Sequence, residues 1–445
     1  MRWFLGIALI LLVALILQSG LLAFAMYVLL IMMITSRLLA RAWIGNLSAA
    51  RKCPRLIAEI GDKVKVHVTI RNNGRIPVPW VLLEDMLPKY AIQHPQRLKV
   101  VGKRIQARML RSEAEVELKY ELRCKGRGYF QIGPLVMESG DLFGLHRRYH
   151  VGAEPEYLLV YPKVIPLQGY DIASRRPIGD IRLMHRLYED PTRIAGVRPY
   201  EAGDPLSRVH WRATARTGLL HSKLYDPSTV AGATLVLDFH EQGYHRQGEP
   251  YRSELAVTTA ASLANAVYEM GQQVGLVTNA RDAADRIRLE GWVHDFRTRL
   301  AARQKVTMRE KSDRLQPLVV PTRRGMEQFQ RIRETLARIE LTDGLTSAQL
   351  LLEAAPRLPR DATIVALLPY VPPETAIALG NFRRQGYAVS AVLIAIEPGH
   401  LEEAMGLLIA QGIMDIRVLA DEDGIPTLCQ RQVLLRTPYV VQVEH

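Results

Sequence analysis

From Trp3 to Ile34 the chain carries no charged side chain. Two apolar runs, Trp3 to Leu17 and Leu21 to Ile34, are separated only by Gln18, Ser19 and Gly20. One straight helix over that stretch would be about 48 Å long, against a hydrocarbon core of about 30 Å. The mismatch favours two short spans joined by a tight turn at Gln18-Ser19-Gly20, set at the far interface where water solvates its backbone. Arg2 precedes the first run, and Arg37, Arg41, Arg51, Lys52 and Arg55 follow the second. Cations on both flanks predict a transmembrane hairpin in the bacterial inner membrane, with both ends and the large remainder in the cytoplasm. Trp43 is expected near the inner interface as an aromatic anchor. The competing reading is a secretory signal with Ala23-Phe24-Ala25 as its cleavage site. Against it, the apolar run continues well past Ala25.

The remainder is long enough for two or three domains, since the chain has 445 residues and 48% of them are hydrophobic. Its net charge is +13, and 46 of its 58 cations are Arg, spread along the whole chain rather than gathered in a stripe. That scatter argues against nucleic acid as the main partner. Cys53, Cys124 and Cys429 form no CxxC pair, which excludes a zinc ribbon, a thioredoxin-type site and a disulfide scaffold.

Residues 47–165 read as a small β-sandwich. Lys63 to Ile70 alternates polar with apolar, as does Glu113 to Tyr120, and Asn72-Asn73-Gly74 marks a turn. Gly126-Arg127-Gly128-Tyr129, Gly133-Pro134-Leu135 and Asp141-Leu142-Phe143-Gly144-Leu145 read as structural: glycines for special backbone and an Asp capping backbone N–H groups.

A connecting segment, 166–230, holds the densest constellation. Arg198, Tyr200, Gly203 and Asp204 are followed by Arg208, His210, Trp211, Arg212 and Arg216. Asp204 before Pro205 has the form of a helix N-cap, and Arg208, Arg212 and Arg216 recur every four residues, on one face if a helix follows. Such guanidiniums need carboxylates or an anionic ligand opposite. The favoured reading is an internal polar network clamping the segment between two domains, with Trp211 as its apolar plug. The other is a contact with an anion or acidic partner.

These motifs together resemble the signature of the bacterial "domain of unknown function 58" family. The resemblance implies a membrane-anchored protein with a von Willebrand factor A-like domain, partnered by a MoxR-type AAA+ ATPase and possibly a transglutaminase-like membrane protein.

Residues 231–445 read as a C-terminal α/β domain of Rossmann-type parallel sheet, which the resemblance makes von Willebrand factor A-like. Strands are expected at 233–238, 274–278, 362–368, 388–396 and 413–419, with helices at 253–270, 326–339, 375–385 and 401–410. The charged stretch 281–316 reads as an exposed excursion. Ligands of such sheets gather beyond the strands' carboxyl ends, which points to Asp238. The family fold often carries a divalent metal there on Asp-x-Ser-x-Ser. This chain has Asp238-Phe239-His240-Glu241-Gln242, whose imidazole and amide suit a hard cation poorly, so the metal site reads as degenerate, with Asp238 capping the following loop.

No GxxxxGK[ST], GxSxG or HExxH occurs, and His240 and His245 are only a faint metal hint. No cofactor is expected. The whole reads as a multidomain, non-enzymatic adaptor that works with the ATPase in assembling or maturing envelope complexes. The alternative is a membrane-bound hydrolase or transferase with an unfamiliar site.

Overall fold

The computed structural model describes residues 20–92, 96–141, 146–168, 189–200, 209–227, 232–290, 315–359 and 362–429, with Gly6, Ile10, Leu12, Val13 and Ile16. The chain divides into two compact units. The first takes residues 1–163, 281–312 and 333–340, and the second takes 164–280, 313–332 and 341–445.

The second apolar run is a helix, α1 (Gly20–Gly45), long and apolar enough to cross a membrane. It begins at Gly20, where the turn is expected, and runs unbroken through Ala23-Phe24-Ala25. Of the first run, Gly6, Ile10, Leu12, Val13 and Ile16 are helical; Gln18 and Ser19 lie outside the described residues. Leu21, Phe24, Val28, Ile31 and Ile34 are exposed along α1. Met33, Ser36, Ala40, Trp43 and Ile44 are buried, at the three- and four-residue spacing of one helical face. Trp43 therefore corrects the sequence reading: it is 5% exposed and part of a protein core, not an interfacial anchor. The helix outlasts the apolar run by about three turns, which carries Trp43 into the folded body.

Among the described residues, that body is built from eleven strands: β1 (Leu47–Lys52), β2 (Ile57–Glu59), β3 (Lys63–Asn72), β4 (Val78–Asp85), β5 (Leu98–Gly102), β6 (Ile105–Leu110), β7 (Glu115–Cys124), β8 (Gly128–Ile132), β9 (Leu135–Gly140), β10 (Arg147–Ala153) and β11 (Glu156–Tyr161). A single helical turn, α2 (Lys89–Ile92), follows β4. The sheets run β1-β3-β7-β5, β10-β9-β4-β6 and β2-β11-β8. In β3, Val64, Val66, Val68 and Ile70 point inward and alternate with more exposed polar residues, as a half-buried strand should. They share one apolar core with Val81 and Leu83 of β4, Leu118 and Leu122 of β7, and Leu135 and Met137 of β9. The lower half of α1 packs on β9 and β10.

Inside this unit lies a buried ion pair. Arg51 and Asp85 are paired with both side chains sealed from water, and Arg51 Nε donates to Asp85 at 3.2 Å. Tyr120 Oη donates to the same carboxylate at 2.7 Å. Gly133 makes room for the guanidinium: a Cβ there would lie 2.3 Å from Arg51 Nη2, and its φ of +91° suits glycine alone. Arg51 thus belongs to the interior rather than to the charge flanking the apolar segment.

In the second unit, β12 (Glu189–Pro199) pairs antiparallel with β13 (His221–Pro227), and a short helix, α3 (Trp211–Thr217), precedes β13. The α/β part comprises β14 (Gly232–Leu237), α4 (Tyr251–Glu269), β15 (Gln273–Thr278), β16 (Arg281–Asp282), α5 (Ala283–Glu290), β17 (Leu318–Arg323), α6 (Met326–Arg338), β18 (Ile339–Glu340), α7 (Ser347–Ala354), β19 (Ala362–Leu368), α8 (Pro373–Arg384), β20 (Val389–Ile394), α9 (Pro398–Ala410) and β21 (Ile416–Leu419); of these, β16, α5, β18 and the end of α6 from Arg333 belong to the first unit. Its sheet runs β17-β15-β14-β19-β20-β21, all parallel except the β17 edge. Read in chain order that is 3-2-1-4-5-6, which reverses direction between β14 and β19. β14 is buried along its whole length, as a central strand of a covered parallel sheet must be.

The opening of the charged stretch is not exposed, against the sequence reading. Arg281, Asp282, Ala283 and Ala284 are buried, because β16 pairs with β18. Asp282 caps the Ala284 N–H at 2.8 Å and meets Arg338 at 3.5 Å, so local pairing absorbs the charges. Residues 291–314 lie outside the described residues.

Replacing Arg51 by Met strands the Asp85 carboxylate in the core, and a broken buried pair costs about 3–5 kcal/mol. The denaturation midpoint of the detergent-solubilised chain should fall accordingly. Arg55→Met, which removes an exposed partner of Asp62, should cost less than about 1 kcal/mol in the same assay.

Candidate functional site

Two places in the second unit attract attention, and they differ in access. The first is the carboxyl edge of the parallel sheet. Asp238 follows β14 at the point where strand order reverses, and its backbone N–H donates to Leu367 at the end of β19 (3.1 Å). Asn279, one residue beyond β15, donates through Nδ2 to Asp238 Oδ1 at 2.8 Å and to the Leu345 carbonyl at 2.8 Å. Its own carbonyl accepts from the Phe239 N–H at 2.6 Å. The His240 N–H donates to Asp238 at 3.2 Å, and Tyr244 Oη donates to the Asp238 carbonyl at 2.8 Å. Asp238 therefore caps its own loop, as its place in the sequence suggests.

Ser347, at the start of α7, lies near the Asp238 carboxyl, and its hydroxyl is 2.6 Å from the Thr375 hydroxyl. Asp238, Ser347 and Thr375 are the hard-oxygen groups gathered here that a divalent cation could use. Donors already occupy the carboxylate, and Phe239 stands edge-on against Tyr244 at 5.4 Å beside it. His240 is engaged elsewhere: its Nδ1 accepts from the Gln242 N–H at 3.2 Å. Among the described residues no group of three or more His, Cys, Asp or Glu is placed to hold a metal ion. Burial pushes the Asp238 carboxyl above the usual carboxylate range, against the pull of the Asn279 and His240 hydrogen bonds.

The thiols offer no nucleophile. Burial raises Cys53 to about 12 and Cys124 to about 11, and it raises Cys429 as well.

The second place is the motif segment. Gly203, Asp204 and Arg208 lie outside the described residues. Arg198 is the penultimate residue of β12, with Nη1 donating to the Pro199 carbonyl at 3.4 Å, and the Tyr200 N–H donates to the Leu220 carbonyl at 2.9 Å. The described helix begins later than Asp204-Pro205 suggests. His210 is the N-cap of α3, accepting the Ala213 N–H on Nδ1 at 3.0 Å, and its own N–H donates to His221 at 2.8 Å. Gly218 closes the helix in the left-handed conformation, φ +74°.

Trp211 overturns the plug reading. It is 67% exposed, and Arg212 and Arg216 are exposed beside it, four residues apart on one short helix. Leu219, Leu220 and Val197 are exposed on the neighbouring backbone. None of α3 is buried, so a helix of only seven residues holds its place through caps and strand pairing rather than through an apolar face. An exposed indole with two guanidiniums and aliphatic neighbours has the composition of a binding hot spot.

The other motif residues are structural. Arg127 is the largest fully buried side chain of the first unit at 2% exposure, and Nη1 donates to the Leu336 and Ile339 carbonyls at 2.9 Å each. Those carbonyls lie at the C-terminus of α6, where a cation complements the helix dipole. Asp141 accepts from Ser36 Oγ at 2.5 Å and from the His146 N–H at 2.8 Å. Gly140 is needed because a Cβ there would lie 2.6 Å from the His146 carbonyl. The sequence identifies these positions as structural but gives no partner for Arg127, since Leu336 stands 209 residues away.

Because the folded state raises the Asp238 pKa, its contribution is most favourable below the ordinary value of about 4 and declines as pH rises through the higher folded value. Asp238→Asn keeps the acceptor and removes the titration. Thermal unfolding across pH 3.5 to 7, on the scale of about one unit per step around that value, should show a flatter decline for the variant and no loss of stability at neutral pH.

Residues 196–291 match the family model described as "Protein of unknown function DUF58". A relative from Bacillus subtilis (strain 168), the uncharacterized protein YeaD, is 24% identical over 261 residues, 58% of this chain and 62% of its own length. The match thus spans less than two thirds of that relative. Among solved structures, proximal thread matrix protein 1 from the mussel byssus is 11% identical, covering 45% of this chain and 46% of that one with a TM-score of 0.28. The CARDB domain of a Pyrococcus furiosus protein is 13% identical, covering 26% and 91% with a TM-score of 0.18. At those scores neither carries an argument. The motif from Arg198 to Arg216 lies wholly within the segment that is similar to the DUF58 family model.

Proposed function

We propose that this protein is a membrane-anchored, non-enzymatic adaptor whose motif helix α3 docks a partner protein. The observation that carries the reading is the exposure of Trp211 beside Arg212 and Arg216, because burying an indole and two guanidiniums is where binding energy concentrates. The resemblance to that family would make a MoxR-type AAA+ ATPase that partner, and a transglutaminase-like membrane protein a further one. Residues 1–19 would complete a two-pass hairpin with α1, leaving the folded units in the cytoplasm. The sheet order, with Asp238 at its reversal point, supports reading the α/β part as von Willebrand factor A-like. Confinement to the membrane plane would raise the effective concentration of such partners. The role would be assembly or maturation of envelope complexes.

A membrane-bound hydrolase or transferase would need its site near the Asp238 edge, where the carboxylate already accepts from Asn279 and the His240 N–H, or at the Asp204 motif, which lies outside the described residues. Affinity capture from solubilised membranes, with and without ATP, separates the readings. The full chain should retain an AAA+ ATPase, and Trp211→Ala should reduce the yield by about tenfold or more, as for a hot-spot residue, with unchanged thermal stability. Equal capture by the variant, or hydrolytic turnover by the purified chain, would overturn the proposal.

A further inference from the structure

The sequence spreads its lysines along the chain, and the β-sheet body gathers them. The strands of the β1-β3-β7-β5 sheet place five of the 12 lysines on the outer face, but only two of the 46 arginines. Strand register aligns these cations. Lys63 of β3, Arg123 of β7 and Lys99 of β5 lie directly opposite one another in three adjacent strands. Two residues along, on the same face, Lys65 stands opposite Glu121, and Glu121 opposite Val101. In the next row Lys52 of β1 and Lys119 of β7 flank His67. With strands about 4.8 Å apart and a rise of about 3.4 Å per residue, the three rows fill a patch about 15 Å on a side.

The five lysines and Arg123 are exposed. The acids of the face are already engaged by two of its cations: Glu121 accepts from Arg123 Nε at 3.0 Å, and Glu117 pairs with Lys119. Among the described residues no carboxylate meets Lys52, Lys63, Lys65 or Lys99. Like charges directly opposite across strands destabilise a sheet, and a glutamate at 63 or 99 would remove the conflict. A face that keeps this repulsion is poised for a ligand that relieves it.

Residue type narrows the ligand. Tight phosphate recognition favours the planar fork of arginine, which this chain uses nearly everywhere else, whereas lysine is a hydrated point charge on a flexible stem. No Phe, Tyr or Trp stands on the face, and Val101 is the one exposed large apolar side chain of these strands. With no ring to stack a base and no apolar wedge to enter a bilayer, the face suits neither single-stranded nucleic acid nor lipid.

We infer that the outer face of the β1-β3-β7-β5 sheet, around Lys52, Lys63, Lys65 and Lys99, is a docking surface for an acidic segment of a partner protein. Carboxylates would lie among these ammonium groups in a fast, salt-sensitive contact that steers the partner into place. The surface is distinct from α3 and stands whether or not α3 binds a protein.

The test uses the full chain in phosphatidylcholine nanodiscs and a fluorescein-labelled decaglutamate peptide, read by anisotropy. Binding should weaken steeply as salt rises past about 0.15 M, where the Debye length is about 8 Å. Lys63→Gln, Lys65→Gln and Lys99→Gln together should weaken it about tenfold, since exposed pairs are each worth little. Arginine at the same three positions should preserve it, and Arg212→Gln with Arg216→Gln should leave it unchanged. The glutamine variant should unfold at no lower temperature than the parent, because it removes mutual repulsion. Carbodiimide, which joins amines to carboxylates, should link the peptide to Lys63, Lys65 or Lys99. Unchanged affinity in the glutamine variant, or loss confined to the Arg212 and Arg216 variant, overturns this inference and leaves the α3 proposal standing. Displacement of the peptide by decathymidylate or phosphatidylglycerol vesicles at equal charge also overturns it, because phosphate would then be the ligand.

Discussion

The structure depends on one helix that is long and apolar enough to cross a membrane and is also packed into a protein core. Over its first half α1 presents Leu21, Phe24, Val28 and Ile31 outward, and over its second half it buries Ser36, Ala40, Trp43 and Ile44 against the β-sheet body. No flexible linker intervenes, since β1 begins two residues after α1 ends. Apolar packing alone would allow the helix to slide or rotate on the sheet. The Ser36–Asp141 hydrogen bond, buried at the edge of the contact, sets both its depth and its rotation.

Such coupling gives the motif residues of the β body a common role. Asp141 receives the helix and closes the turn that follows β9, and Gly140 lets the His146 backbone come close enough for it. Gly133 admits the Arg51 guanidinium to Asp85, and Arg127 reaches the C-terminal carbonyls of α6. These are polar interactions in dry surroundings, where an unmatched partner is costly and a matched one is specific. The motif from Arg198 to Arg216 contrasts with them: its described helix has no buried residue, and its largest side chain faces water.

Periodic features were legible from sequence, and features set by distant partners were not. The alternation from Lys63 to Ile70 announces β3, and the apolar run before Asp238 announces β14, because each pattern reflects burial of that strand alone. The edge strand β17 escapes notice, since Leu318–Arg323 is half-exposed and contains Pro321, permitted on an edge but not inside a sheet. The helix α7 is also missed, although Thr346 and Gln349 form the capping box that could have flagged it. Trp43 and Trp211 reverse their expected environments for one reason. An aromatic side chain fits a core, a membrane interface or a docking face equally well, and only tertiary contacts choose among them. The Asp238 site was half legible: its position follows from strand order, but Asn279 arrives from the end of β15, Ser347 from the start of α7 and Thr375 from the first turn of α8.

The most direct test of the helix–body coupling is disulfide cross-linking in membranes. In a chain lacking Cys53, Cys124 and Cys429, cysteines placed at 36 and 141 should form an intramolecular bond rapidly under mild oxidant. Cysteines at 34 and 141 should not, because Ile34 faces away from the body. Failure of the first pair while both thiols remain alkylatable, or equal cross-linking of the two pairs, would contradict a helix locked to the body it carries.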